Sequence, residues 1–278
     1  VEQKGLNGDD TIYFRGGNYT ISQNNYYPDE RLDRRQITFA DALGKSINPA
    51  FARVALNNLT SSSLERFAHA YLFNQNIPFD VPIEVSQFVR PETDYEIART
   101  AAGFGPVTLS PLHAALITAA IANKGTMMRP YFIEKVTSED GKLKYSATPY
   151  PIKVSVLSST AKELLQMMEA TVESGTARKQ FIKLTNPFLL NNSIAAKTGT
   201  LSNTNPKGIC HWFVVAAPVE DPEIVMSVLI VDPGYVRIKS SFIAKELLEY
   251  YFRDRDILGR SAIPITLEFP ASSSVGVG

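Results

Sequence analysis

Lys197-Thr198-Gly199-Thr200 places a cation, a hydroxyl, a side-chain-free residue and a second hydroxyl in succession. At the end of a strand such a run offers a charge and hydroxyls for hydrogen bonding, with a glycine that carries no side chain between them. Ser46-Ile47-Asn48 sets a hydroxyl and a carboxamide two residues apart. A hydroxyl and a carboxamide can each donate and accept a hydrogen bond. Each pattern is weak alone. A Lys-Thr-Gly also arises as a strand end with a turn-forming glycine, and a second Ser-x-Asn, Ser22-Gln23-Asn24, lies in a polar stretch with no catalytic context.

The surrounding elements separate the two Ser-x-Asn copies. Thr38 reads as a helix cap with Asp41 in the third helical position, opening a short helix that ends near Ser46. Asn48-Pro49 then restarts a helix, with Asn48 as its cap and apolar Phe51, Val54, Ala55 and Leu59 near helical spacing. Ser46–Asn48 therefore falls in a break between two helices. A further helix is expected around Ser63–Phe73. Ser110-Pro111 opens another that runs to Ile121 and stops at Gly125; it is apolar nearly all round, which predicts burial. Tyr131–Val136 and Lys142–Tyr145 predict a hairpin turning at Asp140-Gly141. Thr160 with Glu163 predicts a capping box that opens a helix ending at Gly175.

The last third reads as three strands and a helix. Ser193–Thr200 is followed by the apolar runs Trp212–Ala217 and Ile224–Val231, joined by the short turn Pro218–Glu223 as antiparallel neighbours would be. Ser241–Phe252 is an amphipathic helix. Residues 1–37, polar and aromatic, are expected to be mostly irregular, with a short strand at Thr11–Phe14. Residues 271–278, rich in Ser, Gly and Val, read as a disordered tail after a single domain over 1–270.

Composition excludes several function classes. Lys+Arg and Asp+Glu are both 28, so no basic field points to nucleic acid. Cys210 is the single cysteine, and His69, His113 and His211 are scattered, so neither a disulfide nor a metal or cofactor site is indicated. A Ser-His-Asp hydrolase has no Gly-x-Ser-x-Gly elbow to stand on. No apolar run approaches the ~18 residues of a membrane span.

The order of these parts resembles the transpeptidase domain of penicillin-binding proteins. The resemblance is carried by Ala42–Phe51, Gly103-Phe104-Gly105, Ser110-Pro111-Leu112, Ala122–Gly125, Glu173-Ser174-Gly175-Thr176-Ala177, Ala196–Thr200 and His211–Val214, and spans about residues 35–252. It implies an α+β fold: an antiparallel sheet flanked by helices, of the penicillin-binding protein and β-lactamase type. By resemblance Ser46 would relay a proton to the leaving group and Asn48 would bond the substrate amide. Lys197 would set a positive potential near Ser46 and the substrate carboxylate, and Thr198 would bond that carboxylate. Gly199 would admit an extended peptide, and the Thr200 N–H would form half of an oxyanion hole.

The family's nucleophile lies in a Ser-x-x-Lys that precedes Ser-x-Asn, with serine and lysine on one helical face. Residues 1–45 contain none. Ser159-Thr160-Ala161-Lys162 is the one such tetrapeptide in the chain, and it reads as a helix start. The expectation is a C-terminal part of a longer protein, incomplete on its N-terminal side, whose remainder carries Ser-x-x-Lys. The resemblance further implies peptidoglycan stem peptides as substrates, β-lactams as acylating ligands, and the extracytoplasmic face of the bacterial inner membrane as location, with an anchor outside this chain. A D,D-carboxypeptidase and a non-catalytic sensor or scaffold are the alternatives. The sequence Ser46-Ile47-Asn48, lacking Asp in the middle, speaks against a class A β-lactamase.

Overall fold

Alternation in Thr11-Ile12-Tyr13-Phe14 turns Ile12 and Phe14 into the core and leaves the other two outside. The computed structural model describes residues 1–204, 207–234 and 238–255, so the expected tail at 271–278 lies outside the described residues. Strand β1 (Thr11–Phe14) pairs antiparallel with β2 (Arg35–Thr38), inside the stretch expected to be irregular. Only Ile37 of β2 is apolar, so the sequence carried no alternation there. Between the strands the chain is tied down by Asp33, which accepts from Arg53 Nε at 2.6 Å, Arg53 Nη2 at 2.9 Å and Arg15 Nη1 at 3.0 Å. The Arg53 side chain is 2% exposed, and a charge so buried requires this full set of partners.

Helix α1 (Phe39–Gly44) begins as expected, the Thr38 side chain accepting from Asp41 N. Helix α2 (Asn48–Asn58) does not. Its cap is Ile47, without a side-chain bond, and the Asn48 amide instead donates to Tyr19 O at 2.9 Å. The loop tied by Asp33 reaches over the helix start and takes the donor that a capping role would have left idle. Helix α3 (Ser61–Ala70) and α4 (Asp94–Ala101) both carry capping boxes, Thr60 with Ser63 and Thr93 with Glu96. Ser110 caps α5 (Pro111–Ala122) by accepting from His113 N. This apolar helix alternates between buried and half-buried residues and is not fully enclosed.

Strands β3 (Thr126–Met128) and β6 (Pro151–Val154) form a ribbon, from which the expected hairpin of β4 (Lys135–Thr137) and β5 (Leu143–Ser146) projects. Helix α6 (Ser158–Glu173) follows. Its predicted capping box is absent: Leu157 is the cap, Thr160 is buried within the helix, and Glu163 Oε1 accepts from Gly8 N at 2.6 Å. A tertiary donor from the N-terminal segment has displaced the local one. Short helices α7 (Arg178–Phe181) and α8 (Pro187–Leu190) lead into the sheet.

Strands β7 (Ala195–Thr204), β8 (Lys207–Ala217) and β9 (Ile224–Asp232) form an antiparallel sheet with β8 in the centre. Its faces are covered from both sides. Phe213, Val215 and Ala217 pack with Ala244, Leu248 and Phe252 around α9 (Ser240–Tyr251), while Ala195 and Ala216 pack on Leu165 and Met168 of α6. Burial of each large side chain in such a core stabilises the fold by roughly 1.5–3 kcal/mol. Two-sided cover explains why β8 reads as a nearly continuous apolar run. The expected architecture, an antiparallel sheet flanked by helices, is the one observed. Among the described residues, β7 and β9 each leave one edge unpaired.

Candidate active site

Three chain segments converge at the end of α1. The first is the break between α1 and α2. Ile47 N donates to Ala42 O at 2.9 Å and Ser46 N to Leu43 O at 3.2 Å, the paired bonds of a Schellman cap. That cap requires a left-handed residue where glycine is usual, and Ser46 occupies it with φ 55°. A non-glycine residue held there costs of order 1 kcal/mol. The strained turn presents the hydroxyl of Ser46 outward from the helix end.

The second segment is the end of α6. Gly44 and Gly175 allow the two helices to touch backbone to backbone: a Cβ on Gly44 would stand 2.6 Å from the Ala170 carbonyl carbon, and one on Gly175 2.2 Å from Gly44 O. Thr176 N donates to Gly44 O at 3.0 Å, and Ser174 Oγ donates to Asp41 Oδ1 at 3.0 Å. Asp41 Oδ2 also takes Lys45 Nζ at 2.9 Å.

The third is β7, an edge strand. Lys197 Nζ donates to Ser46 Oγ at 3.1 Å and to Thr198 O at 2.8 Å. Thr198 Oγ1 lies 2.6 Å from Thr176 Oγ1. Gly199 pairs with Trp212 on β8, and a Cβ there would meet Trp212 Cβ at 3.2 Å, so glycine keeps this strand close to its neighbour. Thr200 is exposed and pairs with His211. Opposed residues of an antiparallel pair share a face, so His211 lies with Thr200 on the face opposite Lys197.

Electrostatics follows from that packing. Burial pushes the Lys197 ammonium down to about 8, and both of its acceptors are neutral. At neutral pH it therefore remains mostly cationic with its charge uncompensated, which suits an entering carboxylate. Because Ser46 Oγ accepts from Lys197, its single proton is free to be donated elsewhere. The outer edge of β7 offers backbone groups to an extended peptide.

The structure thus brings together Ser46, Lys197 and Thr198, with Gly199 and Thr200 continuing along the same strand. Asn48 stands two residues beyond Ser46, buried, with its amide nitrogen turned to Tyr19. Ser159 and Lys162 do not join them. They sit exposed in the first turns of α6, and the helix carries the chain about 20 Å from there to Glu173 at the cleft end. Thr176 and Ser174 were not singled out from sequence, although Glu173–Ala177 carried part of the resemblance. Their signal was a glycine flanked by hydroxyls at a helix end, which becomes meaningful only once the helix meets Gly44.

Among known proteins, the profile of the penicillin binding protein transpeptidase domain matches residues 1–249. Peptidoglycan D,D-transpeptidase PbpA of Mycolicibacterium smegmatis is 30% identical over 203 residues, 71% of this chain and 39% of that protein. The crystal structure of PBPA from Mycobacterium tuberculosis superposes with TM-score 0.71 at 23% identity, over 88% of this chain and 57% of that one. A D,D-transpeptidase domain of a peptidoglycan glycosyltransferase from Eggerthella lenta gives TM-score 0.71 at 24% identity, over 89% and 60%. The two structures speak for the fold. The chain spans well under half the length of the curated relative it matches.

Proposed function

The chain belongs to the family of penicillin-binding protein transpeptidase domains, and on that premise we propose that residues 1–270 form the C-terminal part of a peptidoglycan D,D-transpeptidase domain. The reaction is acyl transfer from stem peptides ending in D-Ala-D-Ala, with β-lactams acylating the same serine. The observation that carries this reading is the 3.1 Å contact from Lys197 Nζ to Ser46 Oγ across the cleft between α1 and β7.

In this reading the peptide lies along the open edge of β7, which Gly199 leaves unobstructed. Its terminal carboxylate meets Lys197 and Thr198. A serine activated by the lysine one helical turn away attacks the penultimate carbonyl. Both belong to a Ser-x-x-Lys outside the 278 residues, since the copy at Ser159 stands remote from the cleft. The Thr200 N–H and the N–H of that serine receive the oxyanion. Collapse of the tetrahedral intermediate breaks the carbon–nitrogen bond. The serine's proton, held by its lysine, passes through Ser46 to the leaving D-alanine nitrogen. Lys197 keeps the Ser46 proton directed toward the cleft by donating to its oxygen. Asn48 offers its carbonyl oxygen to the substrate amide, its nitrogen being engaged by Tyr19. An amine of a neighbouring stem peptide then takes the acyl group.

Such a substrate lies outside the cytoplasmic membrane, so this domain works on that face, anchored by a segment outside these residues. No helix among the described residues is long and apolar enough to cross a membrane. The test is to treat the full-length protein with fluorescent penicillin, resolve it on a denaturing gel and map the labelled peptide. One labelled serine in a Ser-x-x-Lys outside these residues is expected. Label on Ser159 overturns the assignment of the nucleophile, and no label at all favours a non-catalytic sensor that keeps the cleft. Release of D-alanine without cross-linked product identifies a carboxypeptidase instead.

A further inference from the structure

We propose that Thr176 is a substrate-positioning residue, whose hydroxyl sets the direction of the Thr198 O–H and reverses their shared hydrogen bond when an anion enters. The proposal rests on the reading of the cleft given above and adds to it a residue with no role so far. Thr176 Oγ1 lies 2.6 Å from Thr198 Oγ1, on the short side for hydroxyls, and either oxygen can donate. Thr176 Oγ1 also lies 3.3 Å from Gly44 O.

Each hydroxyl has one proton, and counting protons fixes the two states. In the empty cleft Thr198 donates to Thr176, and Thr176 donates to Gly44 O. Thr198 then turns only lone pairs toward the cleft, which a carboxylate would oppose. When a carboxylate arrives, Thr198 must donate to it. Thr176 can then swing its own proton across the 2.6 Å contact to Thr198. The swing leaves nothing stranded, because Gly44 O keeps the Thr176 backbone N–H at 3.0 Å. The bound state is a chain of hydrogen bonds from Thr176 through Thr198 to the anion, each bond polarising the next. Thr176 stays in place for both states because its backbone is held by Gly44, the residue two before Ser46. The carboxylate subsite and the Ser46 turn are thereby fastened to one point.

Thr176 should therefore act only on ligands that bring a carboxylate. Full-length protein and its Thr176→Val and Thr176→Ser variants are compared for acylation by a fluorescent penicillin and by the methyl ester of the same compound. Thr176→Val should raise the half-saturating concentration of the acid roughly fivefold, the loss of about one hydrogen bond. It should leave the limiting rate and the reaction with the ester unchanged. Thr176→Ser should restore the wild-type value. Because Thr176 is exposed, the isosteric valine should fold normally. Should it not, Thr176→Ala removes the same hydroxyl and is read the same way. Equal losses for acid and ester, or no loss for the acid, overturn the proposal while leaving the cleft assignment intact. A wild-type protein that takes up no label overturns the transpeptidase reading, and with it this inference about how its substrate is positioned.

Discussion

Lys197 Nζ stands 3.1 Å from Ser46 Oγ although 151 residues separate them in the chain. The contact joins an edge strand to a helix cap, and it holds because α1 and α6 meet through Gly44 and Gly175 beside it. Three consequences can be measured.

The first concerns pH. Burial lowers the Lys197 ammonium to about 8, so the free protein loses this charge as pH rises through that value. The second-order rate of acylation, which reports groups of the free enzyme, should fall on the same limb. With a carboxylate bound, the ammonium gains a partner, and the limb seen at saturation should move to higher pH. Lys197→Arg, which stays charged, should remove the limb even though it changes the geometry. Stability runs the other way: between about 8 and the unfolded value near 10.4 the unfolded chain binds the extra proton, so folding becomes more favourable as pH rises. A flat rate profile through pH 9.5 would show that the charge on Lys197 is not used.

The second concerns the glycine contact. A Cβ on Gly175 would come within 2.2 Å of Gly44 O and 2.5 Å of its carbon, so Gly175→Ala must push α1 and α6 apart. The expected cost is about 1–3 kcal/mol. In a domain of this size each kcal/mol lowers Tm by roughly 2–4 °C. Acylation should slow as well, because Ser46 follows Gly44 by two residues. Calorimetry with an unchanged Tm would contradict the tight packing.

Much of this candidate site was legible in the sequence, and most of the failures share a cause. Lys197–Thr200 and Ser46 could be read because strand and cap signals are local: Thr38 caps α1 through Asp41, and apolar runs mark β8 and β9. The expected partnership of Ser46 with Lys197 came from resemblance, since no local rule links positions so distant. Asn48 and Glu163 were misread for the opposite reason. Each matched a capping pattern, but Tyr19 O and Gly8 N, brought by the N-terminal segment, claimed their side chains. Strand β2 was missed because Arg35-Gln36-Ile37-Thr38 owes its form to β1 and has no alternation of its own. Helix α4 was overlooked despite a readable box, Thr93 with Glu96. Thr176 could not be assigned a role at all until Gly44 and Thr198 stood on either side of it.

The third consequence is the most direct test, because it removes the charge on which the cleft assignment turns. In the full-length protein, the rate constant for acylation by a fluorescent penicillin is measured for wild type and Lys197→Ala, with matched melting curves. A loss on the scale of one oxyanion-hole donor, about 2.7–4 kcal/mol, is expected, so the variant should react roughly 100- to 1,000-fold more slowly. A Lys197→Ala protein that acylates at the wild-type rate would mean that this lysine only fastens β7 to the Ser46 turn, and that the chemistry lies elsewhere.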